Sequence, residues 1–88
     1  LIERTVLITN RRGLHARASA KFVTMASGLP AAVEVEKDGS TVVGTSIMGL
    51  MMLGAAMGDS VTIRASGEGA EQAVGALAAL VEAKFGEE

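Results

Sequence analysis

His15 is the only histidine among 88 residues, and there is no cysteine. Nucleophilic chemistry therefore rests on one imidazole: disulfides, thiolate zinc sites and cysteine nucleophiles are excluded, and a lone histidine cannot build a histidine-cluster metal centre. The ring stands in Gly13-Leu14-His15-Ala16-Arg17, where a polar loop gives way to a helical pattern. The first backbone N–H groups of a helix lack internal partners and carry a partial positive charge of about half an electron, so an anion is well received there. A neutral imidazole attacks phosphorus and forms a phosphoramidate that passes the group onward. The helix terminus and Arg17 both favour the neutral ring, and both would stabilise the phosphorylated dianion. Arg11, Arg12, Arg17 and Lys21, four of the eight basic residues, lie in this window, and no Asp or Glu occurs between Glu3 and Glu34. Read from the residues alone, His15 is either a helix cap beside a solvated arginine or a phosphoryl acceptor assisted by Arg17.

Ser46 precedes a short apolar run, where a serine is an ordinary helix N-cap worth roughly 1 kcal/mol. As a switch it would act differently. A phosphate there adds about −1.5 to −2 charges at a tolerated position and acts on whatever docks nearby. The run that follows is apolar almost all round. If Leu50 and Leu53 enter the core, Ile47, Met48 and Met51 cannot all do so, and exposed methionines make an adaptable docking patch. Met25, Met52 and Met57 are read as gap-fillers in a small core.

The elements that position these residues follow from periodicity. Glu3 to Thr9 is rich in β-branched residues and reads as a first strand, and Ala18, Phe22 and Met25 or Ala26 mark one face of a helix from about Ala16 to Met25. Ser27-Gly28-Leu29-Pro30 ends that helix with a glycine cap and a proline. Val33-Glu34-Val35-Glu36 alternates with period two, Asp38-Gly39 is a hairpin turn, and Thr41-Val42-Val43 is its partner strand. Ser60 to Ala65 alternates again with Val61 and Ile63 inward. Ala70, Val74, Leu77, Val81 and Phe85 recur at helical spacing within Glu68 to Phe85, with Gly86 beyond the end. Alternation implies a sheet with one wet face, hence antiparallel. The expected fold is α+β, βαββαβα, an open-faced two-layer sandwich with three helices on one face of a four-stranded antiparallel sheet. Residues 1–88 read as one domain. Ferredoxin-like ligand-binding modules share much of this order, so fold alone assigns no function.

Composition trims the function classes further. With 49% hydrophobic and 20% charged residues the chain is not a disordered tail. A net charge of −2 and the absence of Trp and Tyr argue against nucleic acid as the main partner. The longest apolar stretch, Ile47 to Met57, is broken by Gly49 and Gly54 and too short to cross a bilayer, and no secretory signal pattern is visible. A cytoplasmic location is the expectation.

Over essentially its whole length the chain resembles the HPr family, the histidine-containing phosphocarriers of the bacterial phosphoenolpyruvate-dependent phosphotransferase system. Gly13-Leu14-His15-Ala16-Arg17-Ala18-Ser19-Ala20 matches the phosphohistidine site, and Gly44-Thr45-Ser46-Ile47-Met48-Gly49-Leu50-Met51 matches the regulatory serine and its helix. The resemblance implies that His15 accepts a phosphoryl group on Nδ1 from phosphorylated enzyme I and hands it to enzyme IIA proteins. Arg17 would assist, with no metal, no cofactor and no stand-alone turnover. It implies that Ser46 is the phosphoserine made by the ATP-dependent HPr kinase/phosphorylase, and that Ala20, Ile47, Met48 and Met51 belong to the docking face of a monomer. Charge added beside that face should weaken enzyme I binding. Ala18 stands where many members carry proline, a substitution that suits the branch tied to nitrogen-related or regulatory phosphotransfer. The alternative from another class is a regulatory binding module that acts through the Ser46 face without a phosphohistidine relay. A hydrolase ranks last, because no second base accompanies His15.

Overall fold

Period-two segments and two long amphipathic stretches fold as their patterns require. The computed structural model describes residues 1–87, with β1 (Ile2–Leu7), α1 (Ala16–Ser27), β2 (Ala32–Lys37), β3 (Ser40–Val43), α2 (Ile47–Met52), β4 (Ser60–Ser66) and α3 (Ala70–Glu82) in chain order. The four strands form one antiparallel sheet in the order β1-β4-β2-β3, the expected α+β open-faced arrangement. Register pairs Val6 with Val61 and Val35 with Ile63, which puts the apolar residues of neighbouring strands on one face. Val6, Val33, Val35, Val61, Ile63 and Ala65 are buried there, opposed by Phe22 of α1, Leu50 of α2 and Leu77 and Val81 of α3. The other face is wet. On it Arg64 donates to Glu3 at 3.2 Å and to Glu36 at 2.6 Å, tying three strands across the sheet.

The hairpin between β2 and β3 closes as Asp38-Gly39 predicts. Lys37 pairs with Ser40, and both residues between them have positive φ, 51° and 86°, the two-residue turn whose twist matches the strands. Ser46 caps α2 as expected, its Oγ accepting from the Gly49 N–H at 2.9 Å.

Four local expectations need correction. β1 starts and ends earlier than Glu3 to Thr9, because Ile8 bonds to the loop before β4 instead, its N–H to Asp59 O and its carbonyl to Gly58 N–H, both at 2.8 Å. α1 continues to Ser27, two residues past Met25, before Gly28 caps it as expected, with φ −86°. Met52 and Met57 are 79% and 57% exposed, so neither fills the core, whereas Met25 does pack against it. Finally, α3 runs only from Ala70 to Glu82, shorter than Glu68 to Phe85 at both ends.

Phe85 is buried all the same, at 1% exposure. It reaches the core position that helical spacing assigns to it through a turn in which Lys84, Phe85 and Gly86 have φ of 59°, 56° and 76°. For two non-glycine residues that left-handed geometry costs about 1–2 kcal/mol each. Burial of a phenylalanine side chain contributes about 1.5–3 kcal/mol in return, and Lys21 Nζ donates to Phe85 O at 2.7 Å. The turn therefore holds, and it delivers Glu87 to the opposite end of the molecule's single histidine.

Candidate functional site

Gly13 sets the path into α1. Its φ is +62°, and a Cβ placed on it would lie 2.3 Å from Ala55 O and 2.8 Å from Ala56 Cα, so no side chain fits. That close approach lets the next residue, Leu14, donate its N–H to Ala55 O at 3.0 Å while its side chain enters the core. Ser19 returns from the first turn of α1 to cap Leu14 O through its hydroxyl at 3.1 Å. His15 is thereby fixed as the N-cap of α1, with extended backbone, φ −72° and ψ −179°.

The ring is held at both nitrogens. Nδ1 accepts from the Arg17 backbone N–H at 3.3 Å, and Nε2 lies 2.5 Å from Glu87 Oε2. The side chain keeps 14% of its surface, so the imidazole is seated yet not sealed away from a visitor. Asn10, fully buried, donates from Nδ2 to Gly13 O at 2.8 Å and to Glu87 Oε1 at 3.1 Å. Burial alone would push the Glu87 carboxyl up. Hydrogen bonds from His15 and Asn10, with the charges of His15 and Lys21, outweigh it and hold the carboxyl below its ordinary range. The acid-free neighbourhood seen in the sequence window thus gains one carboxylate from the far end of the chain.

Arg17 is exposed on the first turn of α1 and makes no ion pair among the described residues. With Ala20, Lys21, Thr24, Met25 and Leu80 it lines an open, mostly apolar groove of about 470 Å³. Ile47, Met48 and Met51 are 40%, 68% and 40% exposed on α2, while Leu50 of the same helix is fully buried. The division expected from the sequence is the one observed. Because α2 packs on α1, this apolar surface belongs to the same helical layer as Arg17 and Ala20. Among the described residues no group of three or more His, Cys, Asp or Glu side chains could hold a metal ion. Among the described residues no helix is long and apolar enough to cross a membrane.

The family model described as the PTS HPr component phosphorylation site matches residues 2–83. The chain belongs to the HPr phosphocarrier family. The phosphocarrier protein HPr of Cupriavidus necator is 41% identical over 87 residues, covering 99% of this chain and 98% of that one. The phosphocarrier protein NPr of Shewanella violacea is 40% identical over 86 residues, covering 98% and 94%. Among solved structures, the crystal structure of HPr-C-His from Thermoanaerobacter tengcongensis superposes with a TM-score of 0.95 at 46% identity, covering 100% of this chain and 99% of that one.

Of the sequence-derived site residues, His15 and Arg17 come together at one helix mouth, and Ala20 follows on the same helix. Ser46, Ile47, Met48 and Met51 cluster separately on α2. Glu87 and Asn10 were missed. Asn10 had a local signal as a polar residue closing a strand, but nothing in spacing ties Glu87 to a ring 72 residues away.

Proposed function

We propose that this chain is a phosphoryl relay of the phosphotransferase system in which His15 Nδ1 is the acceptor, phosphorylated enzyme I the donor and enzyme IIA proteins the recipients. One observation supports this most. Nδ1 faces the N-terminal N–H groups of α1, while Nε2 is occupied by a carboxylate that would repel an incoming phosphoryl group. In the inbound step the Nδ1 lone pair forms a bond to phosphorus as the donor's P–N bond breaks and its electrons return to the donor ring. Positioning and positive charge, from the helix terminus and Arg17, supply the stabilisation. Neither metal nor cofactor enters these steps, and the chain turns over nothing by itself.

Ile47, Met48 and Met51, with Ala20, are the docking face in this reading, and HPr kinase/phosphorylase would modify Ser46 beside it. Since Ser46 Oγ already accepts from Gly49 N–H, a phosphate there keeps its place at the helix end, and its charge acts on an acidic partner rather than on the fold. The chain would work as a cytoplasmic monomer of one domain. The alternative of a binding module acting only through the Ser46 face leaves His15 without a task.

Incubation with a competent cognate enzyme I and labelled phosphoenolpyruvate should give acid-labile, base-stable label that His15→Ala lacks. No label on the natural chain refutes the relay. Phosphorylation of Ser46 by HPr kinase should slow the labelling of His15, and an unchanged rate removes the switch.

A further inference from the structure

We infer that Glu87 is a positioning residue of this relay: its carboxylate, steadied by Asn10, keeps the His15 ring proton on Nε2, which frees Nδ1 as the nucleophile and retains neutral imidazole as the leaving group. The inference rests on the relay reading above and concerns a residue outside the two motifs that carry the family resemblance.

Both ends of the ring point to the same tautomer. Nδ1 accepts a backbone N–H from Arg17, so it is the bare nitrogen, and the proton of the neutral ring is on Nε2, where Glu87 Oε2 accepts it. Asn10 fixes the carboxylate in turn. Its neighbours Gly13 O and Glu87 Oε1 are both acceptors, so the amide nitrogen must face them, and the buried Oδ1 is left with no partner among the described residues. Three consecutive left-handed residues, two of them not glycine, bring Glu87 to this spot, locked by the buried Phe85 ring and the Lys21 bond to Phe85 O. An orphaned buried oxygen and a strained turn converge on one carboxylate. Such local departures from backbone and hydrogen-bonding preference persist where the surrounding structure enforces them, and they cluster at functional sites.

The chemistry follows from where the proton sits. After the inbound step the ring carries phosphorus on Nδ1 and hydrogen on Nε2, and its positive charge faces Glu87. In the outbound step the recipient's nucleophile attacks phosphorus, the P–N electrons return to Nδ1, and the ring departs as neutral imidazole with its Nε2 proton in place. Loss of that proton beforehand would leave imidazolate to depart, a far poorer leaving group. The charged side chains that flank the ring in sequence, Arg11, Arg12, Arg17 and Lys21, are cations, and the charge of Lys21 also acts on Glu87. Asp59, on the loop packed against Gly13, is occupied by the Ala56 N–H at 2.9 Å. Among the described residues Glu87 is the anion placed against the ring, and its charge favours the protonated phosphoimidazole.

The test is ¹⁵N NMR of the His15 ring in the full chain, free and after phosphorylation by enzyme I, for the natural sequence and Glu87→Gln, with rates of transfer to an enzyme IIA measured across pH. The free natural ring should carry its proton on Nε2. The phosphorylated ring should lose the Nε2 proton about one pH unit lower in Glu87→Gln, and outbound transfer above that pH should fall about tenfold. Inbound labelling should change less than outbound transfer. A free natural ring protonated mainly on Nδ1 overturns the inference without any variant, as do superimposable titrations and outbound rates for the two proteins. If the natural chain takes no label, the relay reading itself fails; if it is labelled and the two proteins behave alike, only the role of Glu87 falls.

Discussion

Gly13→Ala tests the seat of His15 against an internal control. Gly13 and Gly54 have nearly the same backbone angle, φ +62° and +64°, but a Cβ on Gly13 meets Ala55 O at 2.3 Å whereas one on Gly54 meets nothing within 4 Å. Both alanines incur the left-handed penalty of about 1 kcal/mol. Only Gly13→Ala must also push back a backbone carbonyl by about 0.7 Å to reach 3.0 Å, and that carbonyl is the acceptor of the Leu14 N–H. Loss of a buried hydrogen bond and local overpacking add about 1–3 kcal/mol. Gly13→Ala is therefore expected to lose about 2–4 kcal/mol and Gly54→Ala about 1. Urea denaturation reads the difference directly, and in thermal melts each kcal/mol corresponds to about 4–8 °C for a domain of this size. Gly13→Ala should also slow labelling of His15, since the N-cap moves with the carbonyl. Equal destabilisation of the two variants, within about 0.5 kcal/mol, would refute the argument that close approach is what demands glycine at position 13.

Three further outcomes are expected. Ser46→Ala removes the bond to Gly49 N–H and should lower stability by about 1 kcal/mol in urea denaturation. Met48→Asp changes a side chain 68% exposed, so stability should shift by no more than about 0.5 kcal/mol while the rate of phosphorylation by enzyme I falls. For pH the sign is set by Glu87: its carboxyl in the folded chain lies below the ordinary value of 4.5, so the unfolded chain binds the proton more tightly. Its stabilisation is complete above that ordinary value and fades as pH drops through the folded one. Urea midpoints measured from pH 6 downward should therefore decline less steeply in Glu87→Gln than in the natural chain.

How much of this was readable from the chain depends on distance along it. The alternation at Val33 to Glu36, the turn at Asp38-Gly39 and the cap at Ser46 depend on residues within four positions of each other, and each appears where its pattern puts it. The partition of α2 into buried Leu50 and exposed Ile47, Met48 and Met51 follows from helical geometry in the same way. Met52 and Met57 were misread because hydrophobicity alone does not say which side of a short helix or loop meets the core. The deepest omission is the wall of the histidine site. Ala55 O, which receives Leu14, and Glu87, which faces Nε2, arrive from elsewhere in the fold, and no periodicity couples them to residue 15. The end of α3 misled for a related reason: Phe85 keeps its place on the buried stripe whether the chain continues as a helix or reverses its hand.

The pairing of β1 with β4 joins Ile2–Leu7 to residues about sixty positions later. Such non-local contacts form only after a large loop has closed, which slows folding relative to helical bundles. On the ribosome, β1 has no partner until residue 66 has emerged, and the ring of His15 has no carboxylate beside it until residue 87 has been added. A nascent chain that already exposes the Gly13–Arg17 motif therefore lacks both the paired sheet beneath the ring and the carboxylate that faces Nε2 until those later segments have emerged.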